Sequence, residues 1–371
     1  MSIRRHSLSA AAAILAVAFP SAVSAATPAA PAGTWQRASP ASVGLDAAKL
    51  NQIAGQAEHG KSNCLVVVRN GKLAGEWYFR GTGPNTTQDV FSATKSLAST
   101  LVGIAQDDGD LSIGDRASKW IPEWTASPSS TVTVRDLLSM DSGRHWSAFS
   151  DYVRLLAARD RTAFAIGLDQ SAPPGQVWAY NNSAVQTLDR VLQEATHENV
   201  VTFAQRRLFK PLAMTRTTMT TDAAGNAQMF EGIRSTCRDM ARFGVLMLNQ
   251  GLWNGRRIVS SSWVKQATAR SSSELNAGYG YLWWLNHEGV IGDVLAATSL
   301  QQSKHSTRGR LVPGAPNDMY WALGLGNQLL QIDPGTRTVV VRLGTADPIP
   351  FPPTFGPAEA SRVVTEAVIR K

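Results

Sequence analysis

The sequence predicts a mixed α/β (α+β) protein in which strands from both ends of the chain share one sheet beside a mostly helical lobe. Two β-rich runs flank Asn70-Gly71, a strong hairpin signal, within residues 41–88. Helical spacing dominates from about 92–275, and strand-like runs return within 315–371. A cleft between the sheet and the lobe is the natural place for a functional site.

The first residues are typical of a secretory signal peptide. Arg4, Arg5 and His6 form a basic region, the apolar run "LSAAAAILAVAF" follows, and small residues lead up to Ala25. We therefore expect residues 1–25 to be removed on export, with retention as an N-terminal anchor as the alternative. The mature protein is then periplasmic or secreted. No later stretch is long and apolar enough to span a membrane.

The mature chain begins with a Pro/Ala-rich segment, residues 26–40, which we expect to be a disordered lead-in to one domain, 41–371. The formal charge of +8 falls to +6 (8 − 2) when the two arginines of the signal peptide are removed. The remaining basic residues are scattered along the chain. Together with export, this argues against nucleic-acid binding. We expect a monomer or a homodimer.

The individual elements follow from periodicity and capping. Asp46 caps a helix, and an apolar stripe after Ser92 predicts another. The runs "TVTVRDLLSM", "VQTLDRVLQEA" and "STCRDMARFGVLMLNQG" predict further helices. Near the end, "DMYWALGLG", "QLLQID" and "TRTVVVRLG" predict three strands, and a last helix follows Pro357.

Ser92 and Lys95 are three residues apart at the start of a helix and so share one face. A serine in the first turn lies at the positive end of the helix dipole, and a lysine held in a partly buried cleft can lose its proton near neutral pH. The spacing alone is weak, because Ser262 and Lys265 repeat it among nine lysines. A capping serine beside a solvated lysine remains the alternative.

A second candidate element is "PPGQVWAYNNS". Tyr180 and Asn182 form the only Tyr-x-Asn among six tyrosines, and they follow a Pro-Gly turn. Side chains on such a loop can point back into a cleft, although a tyrosine packed on a turn would look the same. The two elements in this order, 88 positions apart (180 − 92), are far more specific than either alone.

Ser-x-x-Lys followed by Tyr-x-Asn resembles the first two motifs of the penicillin-recognising serine hydrolases, the family of class C β-lactamases, DD-peptidases and related esterases and amidases. The stretches "VRNGKLAGEWY", "LLSMDSG", "YGYLWW" and "GNQLLQIDPGTRTVVVRLG" also match. They are most similar to the branch of 6-aminohexanoate-dimer hydrolase and family VIII esterases. The resemblance covers roughly residues 40 to 370. It implies a β-lactamase/DD-peptidase-like fold, an antiparallel sheet flanked by helices with a helical lobe.

The resemblance also implies roles for the motif residues. Ser92 is the nucleophile, and Lys95 and Tyr180 share the role of base. Asn182 orients Lys95 and contacts the substrate. The backbone N–H groups of Ser92 and Leu325 hold the oxyanion.

The third motif departs from the family pattern. β-Lactamases and DD-peptidases carry Lys-Thr/Ser-Gly on the strand lining the cleft, where this chain has Ala322-Leu323-Gly324. A charge-assisted contact to a substrate carboxylate, worth roughly 1.5–3 kcal/mol, is then missing. The glycine still lets substrate lie against the strand. We also expect Trp321 and Trp283/Trp284 near the cleft, where they would suit apolar groups, with a plain core aromatic as the alternative for each.

Other catalytic designs fit poorly. The chain has no Gly-x-Ser-x-Gly elbow, and neither "GTGPNT" nor "GLGNQL" has the third glycine of a dinucleotide loop. We expect no cofactor and no metal. Cys64 and Cys237 are an even pair in an exported chain, which indicates a disulfide, with two buried thiols as the alternative.

The sequence thus predicts an exported serine hydrolase that cleaves small-molecule esters or amides through an acyl-enzyme on Ser92. One alternative is a DD-peptidase or weak class C-type β-lactamase. An alternative of another class is a non-catalytic cell-envelope or penicillin-binding relative.

Overall fold

The computed structural model describes residues 34–269, 272–296, 298–299, 306–346 and 354–369. The expected signal peptide, residues 1–25, and residues 26–33 of the expected lead-in lie outside the described residues.

Regular structure accounts for most of the described chain. The strands are β1 Ser62–Arg69, β2 Lys72–Tyr78, β3 Gln88–Asp89, β4 Val177–Trp178, β5 Thr218–Met219, β6 Ile233–Ser235, β7 Leu252–Trp253, β8 Arg256–Arg257, β9 Trp284–Leu285, β10 Gly289–Gly292, β11 Thr298–Ser299, β12 Ser306–Gly309, β13 Tyr320–Gly324, β14 Gln328–Asp333 and β15 Thr338–Gly344. The helices are α1 Ala47–His59, α2 Thr94–Asp108, α3 Val134–Ser139, α4 Leu155–Ala157, α5 Arg161–Ile166, α6 Asn182–Gln186, α7 Leu188–Thr196, α8 Val200–Ala204, α9 Cys237–Leu248, α10 Ser261–Thr268 and α11 Pro357–Thr365. A short 3₁₀ turn, Phe91–Ala93, and a π-helical segment, Ser150–Arg154, matter for the site.

The main sheet is antiparallel and has the strand order β2-β1-β15-β14-β13-β9. Strand β1 from the first part of the chain pairs with β15 from the last part, with Val66 opposite Val341. The prediction that both ends of the chain share one sheet is confirmed. The mixed α/β architecture expected from the order of elements is confirmed with it.

The hairpin between β1 and β2 turns at Asn70-Gly71. Asn70 has φ 52° and Gly71 has φ 76°, so both central residues adopt the left-handed conformation that a two-residue type I′ turn requires. Asparagine and glycine are the residues that accept this conformation at least cost. The Asn-Gly pair therefore predicts the turn because these two residues adopt the backbone conformation that the turn requires.

Helices cover both faces of the sheet. Leu330 and Gln331 are consecutive on β14, so their side chains point to opposite faces. A Cβ on Gly244 of α9 would lie 2.7 Å from Leu330 Cδ1, so α9 packs closely on one face. Ser361 of α11 donates a hydrogen bond of 3.1 Å to Gln331 Oε1, which places α11 on the other face. Helix α1 packs against both β1 and α11.

Helix α2 is buried on all sides over most of its length rather than along one apolar stripe. Every residue from Thr94 to Ala105 is buried, including Ser96 and Thr100, whose hydroxyls donate to backbone carbonyls. Ser96 Oγ, for example, donates to Leu282 O at 2.7 Å. The helix is thus held rigidly between the sheet and the lobe, with its N-terminus at the site.

Part of the expected disordered lead-in is ordered. The Leu73 N–H donates to Gln36 O at 2.9 Å, and the Ala38 N–H donates to Leu73 O at 3.0 Å. Strand β2 is an edge of the sheet, and an edge strand leaves backbone groups that a neighbouring segment can bond. This is a correction for the described residues 34–40, because composition alone gave no sign of the pairing.

Cys64 on β1 and Cys237 at the start of α9 form a disulfide, with their Cα atoms 6.5 Å apart. The bond ties the sheet to the helix on its face, across 173 positions of sequence.

Candidate active site

The 3₁₀ turn Phe91–Ala93 presents Ser92 immediately before α2. Phe91 has φ 47°, an uncommon conformation for a bulky residue. Such strain persists only where the surroundings enforce it, and it clusters at functional sites. Ser92 is partly exposed and lines a cavity, whereas Thr94 and the next residues are buried. The turn therefore brings one serine hydroxyl to the surface of the cavity.

Lys95 lies next to that hydroxyl. Its Nζ is 3.0 Å from Ser92 Oγ, and it donates a hydrogen bond of 3.1 Å to the carbonyl oxygen of Phe230. The side chain is only 1% exposed. Burial lowers the pKa of Lys95 to about 7, although the charges of Glu231 and Asp151 act in the opposite direction. A neutral amine, able to accept a proton, is therefore well populated at neutral pH.

Tyr180 approaches Ser92 from the loop between β4 and α6. Its hydroxyl shares a hydrogen bond with Ser92, and Lys95 Nζ lies 4.7 Å from the centre of its ring. Burial raises the pKa of Tyr180, and the hydrogen bond with Ser92 opposes this only in part. The phenol thus keeps its proton at neutral pH while the neighbouring lysine can lose one.

An aromatic cluster holds the Tyr180 ring in place. The ring stacks on Trp284 with centroids 5.6 Å apart and makes an edge-to-face contact with Tyr279, with centroids 6.1 Å apart. Trp178, on the strand just before Tyr180, contacts the same rings. The rings of Trp284 and Tyr279 restrict rotation of the phenol, so its hydroxyl stays directed at Ser92.

Asn182 is the first residue of α6 and lines the same cavity. Its backbone N–H donates to Asp151 Oδ2 at 2.5 Å, and its buried side-chain Oδ1 has no hydrogen-bond partner among the described residues. Among the described residues, Lys95 Nζ bonds only Ser92 Oγ and Phe230 O. The carbonyl of Phe230 therefore holds the Lys95 amine in this structure, and the role of Asn182 toward Lys95 stays a prediction.

The third motif lies beside the turn that carries Ser92. Leu323, Gly324 and Leu325 all line the cavity at the end of β13, and Leu325 is exposed. A Cβ on Gly324 would come within 2.2 Å of Val90 O and 3.2 Å of Ala93 N. The glycine is thus required because the strand packs directly on the turn that carries Ser92. Close packing is thus a second reason for glycine at position 324, beside the reason expected from the sequence, that glycine leaves room for substrate along the strand.

The cavity between these elements has a volume of about 540 Å³, within the range of small-molecule sites. Its lining is mostly apolar and includes Phe91, Leu156, Phe230, Trp284, Val294, Leu311 and Leu323. Of the expected tryptophans, Trp284 lines the cavity. Trp283 and Trp321 do not, because Trp283 stacks on Phe243 in the core and Trp321 donates to Gln331 Oε1 at 3.0 Å.

Four further residues of the site carry no recognisable sequence signal. Asp151, buried on the π-helical segment, accepts from the backbone N–H and hydroxyl of Ser183 and fixes the start of α6. Phe230 acts through its backbone carbonyl, which any residue could supply. Glu231 and Tyr152 line the cavity from distant segments. The structure alone brings these groups together with Ser92.

The second Ser-x-x-Lys pair behaves differently. Ser262 and Lys265 are both exposed on α10, and Ser260, not Ser262, caps that helix by accepting from the Trp263 N–H at 3.1 Å. The spacing there reflects an ordinary amphipathic helix.

Two features are absent from the described part of the chain. No three His, Cys, Asp or Glu side chains there are grouped as metal ligands would be. Every helix in those ranges is too short or too polar to cross a bilayer.

Comparisons with known proteins place this geometry in context. The sequence profile of the family described as beta-lactamase matches residues 50–359. The 6-aminohexanoate-dimer hydrolase of Paenarthrobacter ureafaciens is 24% identical over 316 residues, which cover 81% of this chain and 76% of that protein. Protein flp of Staphylococcus aureus (strain COL) is 25% identical over 182 residues, only 44% of this chain and 35% of that protein.

Solved structures agree on the fold. A Bacillus anthracis protein with the provisional name 6-aminohexanoate-dimer hydrolase superposes with a TM-score of 0.68 at 22% identity, covering 88% of this chain and 86% of that one. A beta-lactamase of Mycobacterium bovis superposes with a TM-score of 0.61 at 16% identity, covering 86% and 99%. The profile match spans most of the sequence, and the chain therefore belongs to the beta-lactamase family of serine hydrolases.

Proposed function

We propose that this protein is an exported serine hydrolase that cleaves esters or small amides through an acyl-enzyme on Ser92. The observation that carries the proposal is the contact of Ser92 Oγ with a fully buried lysine amine, 3.0 Å away, at the wall of an apolar cavity. A nucleophile within hydrogen-bond reach of a base held by third groups is the arrangement that covalent catalysis requires.

In the acylation step, neutral Lys95 accepts the hydroxyl proton as Ser92 Oγ forms a bond to the substrate carbonyl carbon. The carbonyl π electrons move onto oxygen, and the backbone N–H groups of Ser92 and Leu325 stabilise that oxyanion. When the tetrahedral intermediate collapses, the bond to the leaving group breaks. Tyr180 donates its proton to the departing oxygen or nitrogen and is reprotonated by the Lys95 ammonium.

In the deacylation step, water replaces the leaving group. The neutral Lys95 amine, regenerated in acylation, takes a proton from water while the water oxygen attacks the acyl carbon. Collapse releases the carboxylic acid, and the Ser92 oxygen regains its proton from the Tyr180/Lys95 pair. The opposite pKa shifts of the two groups, both caused mainly by burial, support Lys95 as the resting base and Tyr180 as the resting acid.

The lining of the cavity supports neutral esters and amides over β-lactams. At the motif positions where β-lactamases carry a lysine and a hydroxyl, this chain has Ala322 and Leu323, and neither side chain can bond a carboxylate. The charged side chain among the described lining residues is an acid, Glu231, so this lining offers a carboxylate no cation to bind. The unpartnered Oδ1 of Asn182 would accept a substrate N–H, and the aminohexanoate dimer in the name of the Paenarthrobacter relative is joined by an amide.

Export is part of the proposal. The basic and apolar regions before Ala25 are those of a signal peptide, and a disulfide suits an oxidising compartment, the periplasm or the medium. Mass spectrometry of protein purified from the native host would find Ala26 at the N-terminus. A chain recovered only from the cytoplasm with residues 1–25 attached would contradict export.

A substrate panel tests the proposed specificity. We expect p-nitrophenyl acetate and an aminohexanoate dimer to be hydrolysed, each with a higher kcat/KM than a chromogenic cephalosporin or a D-Ala-D-Ala peptide. The reverse order would favour a β-lactamase or DD-peptidase. Turnover of none of them by a folded, monodisperse protein would favour a non-catalytic envelope-binding relative.

A further inference from the structure

Large apolar side chains that face solvent are concentrated at one place on the described surface. Eight such side chains are exposed among the described residues, and seven of them lie on three segments around the mouth of the catalytic cavity. These seven, the apolar rim, are Phe149, Tyr152, Val153, Leu156, Val294, Leu295 and Leu325. Single exposed apolar residues are ordinary, whereas a contiguous group marks a binding surface.

The apolar rim is continuous with the cavity. Four of its members, Tyr152, Leu156, Val294 and Leu325, also line the cavity that contains Ser92. Phe149 and Val153 lie three positions before Tyr152 and Leu156, respectively, at the start of and within the π-helical segment, and both are exposed next to these lining residues in sequence. Leu295 extends the rim beside Val294 and is 58% exposed. An apolar path therefore leads from the nucleophile to the surface.

Charge does not interrupt this path. The acid among the described lining residues, Glu231, is paired with Arg161, whose Nη1 lies 2.8 Å from Glu231 Oε1. Arg161 also donates a hydrogen bond of 3.0 Å to the carbonyl oxygen of Leu156, so this ion pair borders the apolar rim with its two charges opposed. A chain that leaves the cavity across the rim meets apolar side chains.

We propose that the apolar rim binds the long aliphatic chain of an ester substrate whose carbonyl is attacked by Ser92. This inference rests on the proposed function and narrows its substrate class to esters with an extended apolar chain. We assign the rim to the aliphatic chain because the rim is continuous with the cavity. A chain attached to the reacting carbonyl therefore contacts the rim without a separate binding event. Contact removes apolar area of both partners from water.

Two substrate series measure the preference, p-nitrophenyl esters from acetate to decanoate and n-alkyl acetates from ethyl to decyl, all below their micellar concentrations. A fully buried methylene contributes about 0.8 kcal/mol, which corresponds to a factor of about four. Chains half covered by the rim should therefore raise kcat/KM by about twofold per methylene in at least one series. A fall or a flat profile in both series would overturn the proposal.

Rim variants assign the preference to named residues. Phe149→Ser and Leu295→Ser should each lower the ratio of long-chain to acetate kcat/KM by about threefold or more. Ile369→Ser is the matched control, because Ile369 is exposed at 52% but is not among the lining residues, and its ratio should equal that of the wild type. Equal ratios in all three variants would overturn the proposal.

The same variants distinguish substrate binding from self-association and from membrane contact. If the rim instead joined two copies of the chain, or held the protein on a lipid surface, Leu295→Ser would weaken self-association or vesicle binding. The ratio of long-chain to acetate kcat/KM would then stay unchanged in this variant. This result too would overturn the proposal. Failure of the proposed function is distinct, because then the wild type would hydrolyse no ester of any length.

Discussion

Lys95 Nζ lies 3.0 Å from Ser92 Oγ and 4.7 Å from the centre of the Tyr180 ring, in a position where the lysine is almost completely buried. Burial acts on the lysine and the tyrosine in opposite senses, because the charged form is a cation in one case and an anion in the other. The same environment thereby produces a neutral base and a neutral acid on either side of one hydroxyl.

The first prediction concerns pH. Lys95 must be neutral to accept the proton of Ser92, and its pKa is lowered to about 7, so kcat/KM for p-nitrophenyl acetate should rise through about pH 7. Glu231→Gln removes a negative charge that raises this pKa, and the rise should move to lower pH. A rise that stays in place, or moves to higher pH, would show that Lys95 is not the base.

A second prediction concerns stability. Between pH 7 and 10.5 the unfolded chain, with an ordinary lysine, binds more protons than the folded one, so the stability of the wild type rises with pH in this window. Lys95→Met removes the dependence. Its stability relative to the wild type should therefore fall by about 2–3 kcal/mol between about pH 7 and 9.5. Urea unfolding of both proteins at the two pH values measures this change. A difference in the free energy of unfolding that is the same at both pH values would contradict the burial argument.

A third prediction concerns the contact of β13 with the nucleophile turn. Gly324→Ala would place a Cβ 2.2 Å from Val90 O and displace Ser92. Such misplacement costs about 100-fold in kcat, while circular dichroism should show a folded protein. Gly55→Ala is the control, since a Cβ there meets nothing within 4 Å on helix α1, and it should stabilise the protein by about 1 kcal/mol. Full activity in Gly324→Ala would refute this reason for the glycine.

A fourth prediction concerns the disulfide. Cys64 and Cys237 close a loop of 173 positions, so their replacement by alanine should lower the free energy of unfolding by about 2–5 kcal/mol. When the protein is denatured without reductant and then treated with an alkylating agent, neither cysteine should be modified. Two alkylated thiols in protein isolated from the oxidising compartment would contradict the bond.

Much of the fold could be predicted because it depends on local signals. The turn at Asn70-Gly71 requires positive φ at both positions, and apolar spacing marks α2 and the last three strands. The order of these elements then indicated that both ends of the chain share one sheet. The pairing of residues 36–38 with β2 could not be predicted, because it depends on an unfilled sheet edge rather than on composition.

The site divides in a similar way. Ser92, Lys95, Tyr180 and Gly324 belong to spaced motifs, so the sequence reveals them. Phe230 acts through its backbone carbonyl, which no residue type reveals. Asp151 contributes only because the fold places its carboxylate at the start of α6, where it accepts from the Asn182 N–H. The prediction for Trp321 was wrong, because an aromatic on a strand near the cleft was better accommodated in the core, where Gln331 accepts its N–H.

The most direct test of the central claim is covalent labelling. The wild-type protein, treated with a fluorophosphonate and digested, should carry one adduct on the peptide that contains Ser92. Ser92→Ala should carry none, and Ser262→Ala should be labelled like the wild type, since its Ser-x-x-Lys pair is exposed and outside the cavity. Absence of labelling in the wild type, or labelling that survives Ser92→Ala, would contradict the account.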